Sequence, residues 1–189
     1  MKLLFFDLET TGTQADKHGI HQLSGSIVIN GEVKEKFDLR VQPHPGAVIE
    51  QGALDVAGVT QAQIMAYPPM REVYDKFINM LSKYVDRYDR YDKFFLVGYN
   101  NASFDNQFLR AWFGHNGDKY FGSWFWANSI DVMVMATPYL ADRRSQMVNF
   151  KQGTVAKTLG ITVEDDKLHD ALYDIDICKA IYDIVCAKY

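Results

Sequence analysis

Near its start the chain runs Leu3-Leu4-Phe5-Phe6 and then stops on two acids one residue apart, Asp7-Leu8-Glu9. Four large apolar residues in a row read as a strand, Lys2 to Asp7, that is buried rather than lying on the surface. Side chains alternate along a strand, so Leu8 points into the core while Asp7 and Glu9 share the other face. Their spacing along the strand is roughly 6–7 Å, close enough to share a metal ion. A surface strand shows such a pattern by chance. A buried central strand that ends in paired carboxylates is a much stronger constraint, because it places charge at the edge of a core.

Three further residues carry the same kind of chemistry. Asp105 closes Asn101-Ala102-Ser103-Phe104-Asp105, and His169 and Asp174 bracket His169-Asp170-Ala171-Leu172-Tyr173-Asp174. Each has a plain alternative. An Asp in the first turn of a helix favours the macrodipole. A lone His is usually structural or exposed, and Asp170, Asp176 and Asp183 show that acids are common in the last helix. Taken together, four carboxylates and one imidazole on one pocket would hold two divalent metals beside a general base, the equipment for phosphodiester hydrolysis.

The rest of the chain bounds the architecture. Its 189 residues suit one domain, and 48% hydrophobic content suffices for a sizeable core. No apolar stretch approaches the roughly 20 residues that span a bilayer. Asp7 and Glu9 break the opening run too early for a signal peptide. A helix places Cys178 and Cys186 roughly 12 Å apart, too far for a mutual disulfide, so free thiols and a cytoplasmic location are expected. The net charge of −4 does not advertise nucleic-acid binding, though carboxylates awaiting cations bias the count that way.

Ile27-Val28-Ile29, Asn30-Gly31 and the alternating segment Val33 to Val41 predict a hairpin, and with the first strand a three-stranded antiparallel meander. Pro43 to Gly58 reads as irregular. Val73, Phe77, Leu81 and Tyr84 recur at helical spacing after Pro68-Pro69, and Phe94 to Gly98 reads as a short buried strand. Asn101 or Ser103 is expected to cap a helix carrying Phe104, Phe108, Leu109 and Trp112. Thr154 to Leu159, ended by Gly160, and Ala171 to Ala187 read as helices. A meander followed by alternating strands and helices implies an α/β fold with a mixed sheet covered by helices.

Motifs in this order resemble those of the DEDDh, or DnaQ-like, 3′→5′ exonucleases. The matching segments are Phe6-Asp7-Leu8-Glu9-Thr10-Thr11-Gly12, Gly98-Tyr99-Asn100-Asn101-Ala102-Ser103-Phe104-Asp105, and His169-Asp170-Ala171-Leu172-Tyr173-Asp174. Ile130-Asp131-Val132 with Ala136, and Val155 to Ile161, are weaker matches. The chain departs from the family pattern at Asn100, where His is frequent, at Ile20 to Gly25, and at Val56-Ala57-Gly58-Val59, where proofreading members often carry His-Gly-Ile.

The resemblance implies a ribonuclease H-like mixed five-stranded sheet, an antiparallel three-strand meander plus parallel strands, flanked by helices. It implies a single exonuclease domain over residues 1–189. Asp7, Glu9, Asp105 and Asp174 would hold two Mg²⁺ or Mn²⁺ ions, with Asp7 bridging, and His169 would be the general base. Thr10, Thr11, Gly12, Asn101 and Phe104 would meet the substrate, a single-stranded nucleic acid with a free 3′ end. DNA is expected over RNA, nucleoside monophosphates are the expected products, and a DNA polymerase is a candidate partner; no membrane is. An RNA-trimming exoribonuclease and a catalytically silent binding module are the alternatives. With no polymerase-binding tail expected after the last helix, a stand-alone trimming enzyme or a small proofreading partner in trans is expected.

Other side chains read as structural. The aromatic stretch Tyr120, Phe121, Trp124, Phe125, Trp126 favours packing over base stacking. Arg143, Arg144 and Lys151 lie in a polar loop, solvated or set to bind phosphate. His18 and His21 lack the second ligand pair that a zinc site needs.

Overall fold

The structure, a computed structural model, describes residues 1–167 and 170–186. The opening run forms β1, Lys2–Thr10, longer than expected because the pairing continues through both acids. It pairs antiparallel with β2, Ile20–Ile29, which pairs antiparallel with β3, Glu32–Arg40. The turn between β2 and β3 is the expected Asn30-Gly31, with φ of 52° and 86°. Two successive positive φ values make the tight turn whose twist matches the strands, and Asn and Gly are the residues that tolerate them.

On its other side β1 pairs in parallel with β4, Phe95–Gly98, which pairs in parallel with β5, Ile130–Asp131. The sheet order is β3-β2-β1-β4-β5, so β1 is central. The alternation of β1 feeds two cores. Leu4, Phe6 and Leu8 pack with residues of α3, Met70–Leu81, α4, Asp105–His115, and α5, Phe121–Trp124. Leu3 and Phe5 pack with residues of α6, Val132–Tyr139, α7, Gln152–Thr158, and α8, Ala171–Cys186. Phe77 and Phe113 are wholly buried in the first core. Cutting either to Ala would cost about 3–5 kcal/mol.

Two expectations need correction. The segment Pro43 to Gly58 is not irregular throughout: α1 spans Gln51–Ala57, with Leu54 buried and Gly58 closing it at φ 65°. One apolar anchor is too few to show helical periodicity. Further on, α2, Gln61–Met65, is started by a reciprocal cap between Thr60 and Gln63. The fourth helix also begins later than expected. Phe104 is its N-cap residue, without a side-chain cap, and neither Asn101 nor Ser103 caps it. The Ser103 hydroxyl turns back to Asn100 Oδ1 at 2.8 Å, and Asn101 Nδ2 donates to Asn106 at 3.2 Å. Asn100 sits at φ 62°, so the chain makes a closed turn before it can become a helix. The last helix covers Ala171–Cys186, and Ala187 lies outside the described residues. Cys178 is buried and both cysteines are free. No described helix is long and apolar enough to cross a membrane.

Candidate active site

The last residues of β1 carry the acids past the end of β4, whose pairing with β1 stops at Phe5. Asp7 and Glu9 continue the face of Leu3 and Phe5, toward α8. Asp105 enters from the other side, at the first residue of α4, and is buried. Asp174 lies in the first turn of α8. A narrow crevice lined by Asp7, Tyr99, Gln152, Asp174, Ile175 and Cys178 joins the first and third motifs.

Electrostatics tie the acids together. Burial first, then the carboxylates of Asp105, Glu9 and Asp174, hold Asp7 well above the usual carboxylate range. Asp105 is pushed up to about 7, by burial first, with Glu9 and Asp131 adding to it. Its own main-chain amide and that of Leu8 favour its ionised form and only partly offset this. Burial, followed by Asp7, raises the thiol of Cys178, so it stays a neutral wall of the crevice. Like charges gathered at low dielectric each disfavour the other's ionisation. A divalent cation removes that penalty, and an all-oxygen donor set suits a hard cation such as Mg²⁺ or Mn²⁺. Among the described residues no three His, Cys, Asp or Glu side chains close into a ready-made chelating cluster. The donors fit such an ion in kind and in mutual influence. His169 lies outside the described residues.

The expected substrate residues divide into two groups. Thr11 is fully buried and fully engaged: its amide donates to Gly19 O at 2.9 Å, and its hydroxyl donates to Val48 O at 2.6 Å. Thr10 donates its hydroxyl to Gly12 O at 2.7 Å. Gly12 lies under the ring of His18, where a Cβ would come within 2.3 Å of Cδ2. His18 itself is anchored between Gln14 and Glu50, with Nε2 3.0 Å from the carboxylate. These residues therefore shape the rim of the site. Asn101 is fully buried, and its Oδ1 has no hydrogen-bond partner. Phe104 is half-buried, with its ring 4.9 Å from that of Phe108.

Asp131 is a residue whose importance the sequence only hinted at. Its carboxylate accepts from the amides of Asn100 at 3.0 Å, Ala102 at 3.4 Å, Met133 at 3.0 Å and Val134 at 3.4 Å. It caps α6 and pins the loop that delivers Asp105. The signal was available: an Asp directly before an apolar helical run is N-cap chemistry. Gln152 donates to Asp174 O at 2.8 Å and so fixes the start of α8.

A family model described as Exonuclease, RNase_T, matches residues 4–182. The chain belongs to this exonuclease family. RNase_T exonucleases are DnaQ-like 3′→5′ enzymes, typically dependent on divalent metal. Among curated relatives, the PolC-type DNA polymerase III of Pediococcus pentosaceus is 24% identical over 173 residues, 92% of this chain and 10% of that protein. That of Streptococcus mutans is 30% identical over 107 residues, 56% of this chain and 6% of that protein. The chain thus spans about a tenth or less of the relatives it matches. Among solved structures, E. coli exonuclease I with a dT13 oligonucleotide superposes with a TM-score of 0.77 at 20% identity, covering 97% of this chain and 40% of that one. The zinc-bound form of its complex with single-stranded DNA gives 0.76 at 22%, covering 99% and 40%. The RNase_T exonuclease fold, a mixed five-stranded sheet flanked by helices, is the one expected from the motifs.

Proposed function

We propose that this exonuclease hydrolyses the 3′-terminal phosphodiester of single-stranded DNA, releasing nucleoside monophosphates, with two Mg²⁺ or Mn²⁺ ions and His169 as general base. The observation that carries the reading is the gathering of carboxylates at one end of the sheet: Asp7 and Glu9 on the last residues of central β1, Asp105 at the first residue of α4, and Asp174 lining one crevice with Asp7. Acids from two distant segments meet the Asp7 and Glu9 pair of β1, and a charge cluster of that kind is costly unless cations offset it.

Asp7, Glu9 and Asp174 would hold one ion and Asp7 and Asp105 the other. When bound, the ions would lower the pKa of an attacking water and neutralise charge on the leaving oxygen. His169 would take the water's proton, a role suited to an imidazole with ordinary pKa near 6.5. The rim built by Thr10, Thr11 and Gly12 would shape the pocket for the terminal nucleotide, and half-buried Phe104 would present a ring to its base. Asn101, whose Nδ2 donates to Asn106 while its Oδ1 has no partner, would offer that oxygen to the substrate.

One gel tests this. End-labelled single-stranded DNA and RNA of equal sequence are incubated with Mg²⁺, Mn²⁺ or chelator, using wild type, Asp7→Ala and His169→Ala. Laddering from the 3′ end that needs metal and vanishes in Asp7→Ala is expected, faster on DNA, with slow residual activity in His169→Ala. Equal activity in all three proteins would defeat the proposal. Preference for RNA would move it to the exoribonuclease alternative. The likeness to PolC-type polymerases favours a proofreading setting as a second reading, with a DNA polymerase as partner. Copurification with such a polymerase, and faster removal of mismatched than matched 3′ ends, would test that.

A further inference from the structure

We propose that the groove beside α4 receives the nucleotides immediately upstream of the 3′ terminus, with Arg110 on phosphate and Trp126 against a base. This rests on the exonuclease reading and extends it from the reacting bond to the strand behind it. The groove encloses about 800 Å³ and is lined by the Thr13–Asp16 loop, by Ala102, Asn106, Gln107 and Arg110, and by Trp126.

Three observations support it. First, the groove is lined by residues next in the chain to those of the candidate site. Thr13 follows Gly12 on the rim, and Asn106 follows Asp105 at the start of α4. At the other end, Trp126 donates its amide to Phe94 O, four residues before Gly98. Four strand steps amount to roughly 13 Å, room for more than one nucleotide.

Second, the two faces of α4 divide their work. Phe108, Leu109, Trp112 and Phe113 are buried in the core, while Asn106, Gln107 and Arg110 turn to the groove. Amides and a guanidinium can meet sugar and phosphate oxygens without reading the base. The guanidinium lies 4.3 Å over the Phe121 ring, so its position is held while its edge stays exposed.

Third, Trp126 is half-exposed, whereas the neighbouring rings of Phe121, Trp124 and Phe125 are buried. Its ring is steadied by Phe95 at 5.9 Å, and the Lys93 ammonium at 5.4 Å brings a second cation to that end. Aromatic surface beside cations along a groove is how single strands are held without sequence preference. Asp16 opposes this at the rim, but it is exposed and screened by salt.

Tryptophan fluorescence provides the test, because Trp112 and Trp124 are 3% and 1% exposed and will not meet a ligand. Wild type, Trp126→Phe, Arg110→Glu and the charge-matched control Lys76→Glu on α3 are titrated with (dT)₂ and (dT)₈ in Ca²⁺. In wild type (dT)₈ should quench the emission and bind at least about tenfold more tightly than (dT)₂, with an affinity that falls as salt rises. Trp126→Phe should lose the quenching. Arg110→Glu should weaken (dT)₈ by about tenfold or more, and Lys76→Glu by less than about twofold. Equal affinity for the two lengths, or undiminished quenching in Trp126→Phe, would overturn the groove. Missing 3′ laddering in wild type would instead overturn the exonuclease reading beneath it.

Discussion

Two buried aspartates flank the same loop and serve it in opposite ways. Asp131 is 9% exposed and Asp105 is 7% exposed. Asp131 accepts from four backbone amides, and its carboxylate is consumed in holding Asn100 and Ala102 against the start of α6. Asp105 also has amide neighbours, yet burial and nearby acids leave it pushed up to about 7. Similar burial therefore goes with one carboxylate spent on backbone amides and another pushed up by burial and nearby acids. Under the proposed reading, the group under pressure is the one that would meet a cation.

The largest expected effect separates the two in activity. Asp105→Asn should lower metal-dependent 3′ hydrolysis by on the order of a hundredfold or more, since it removes the charge proposed to hold a cation. The same change should leave the metal-free melting temperature unaltered or raise it, because repulsion is relieved. A clear drop in melting temperature would place Asp105 with Asp131 and erase the contrast.

Asp131→Ala should do the reverse in kind. It leaves four amides without their acceptor and removes an N-cap, a loss of about 2–4 kcal/mol in urea unfolding. Stability within about half a kcal/mol of wild type would mean that water serves those amides as well.

Metal and pH sharpen the comparison further. The folded Asp105 titrates near 7 and the unfolded one near 3.8. Between these values the folded protein keeps a proton that the unfolded chain has lost. This group's contribution therefore makes metal-free stability fall as pH rises through that window. The proposed Mg²⁺ site needs the ionised form, so millimolar Mg²⁺ should stabilise the fold more at pH 8 than at pH 5, by about 1–3 kcal/mol in urea unfolding. Asp105→Asn should shrink that difference.

The smallest effect comes from His21, a buried group that neither amide nor cation serves. It sits at the bulge where β1 and β2 slip register, fully buried, with no partner for either ring nitrogen. Burial, then Arg40, lowers it from 6.5 to about 4. Here the unfolded chain takes the proton first, so this group's share of stability is lost as pH falls from 6.5 toward 4. His21→Leu should flatten that acid limb, by on the order of 2 kcal/mol at pH 4. An unchanged limb would show that His21 finds a partner in solution.

The sequence made the central parts legible where one local rule dominated. An unbroken apolar run could only be central, so β1 and its acids were readable, and Asn30-Gly31 marked its turn. The spacing of Val73, Phe77 and Leu81 marked α3. What escaped depended on contacts distant in the chain. The two-residue β5 exists because Val97 and Gly98 offer it a ladder. The start of α4 is set by the left-handed turn at Asn100 and by the hold of Asp131, not by a local cap. In the candidate site, acids were recognisable by type and order, whereas the engagement of Thr11 follows from Gly19 and Val48 approaching it in space.

Gly12 and His18 form one steric unit. The imidazole fills the volume that a methyl group would need, and Glu50, at the threshold of α1, anchors the imidazole from behind. Gly12→Ala should therefore cost about 1–3 kcal/mol, and a shrunken His18→Ala in the same molecule should recover part of it in urea unfolding. Positions 12 and 18 are bound to a joint inheritance: wherever lineages of this protein have let the first grow, the second should have dwindled to make room.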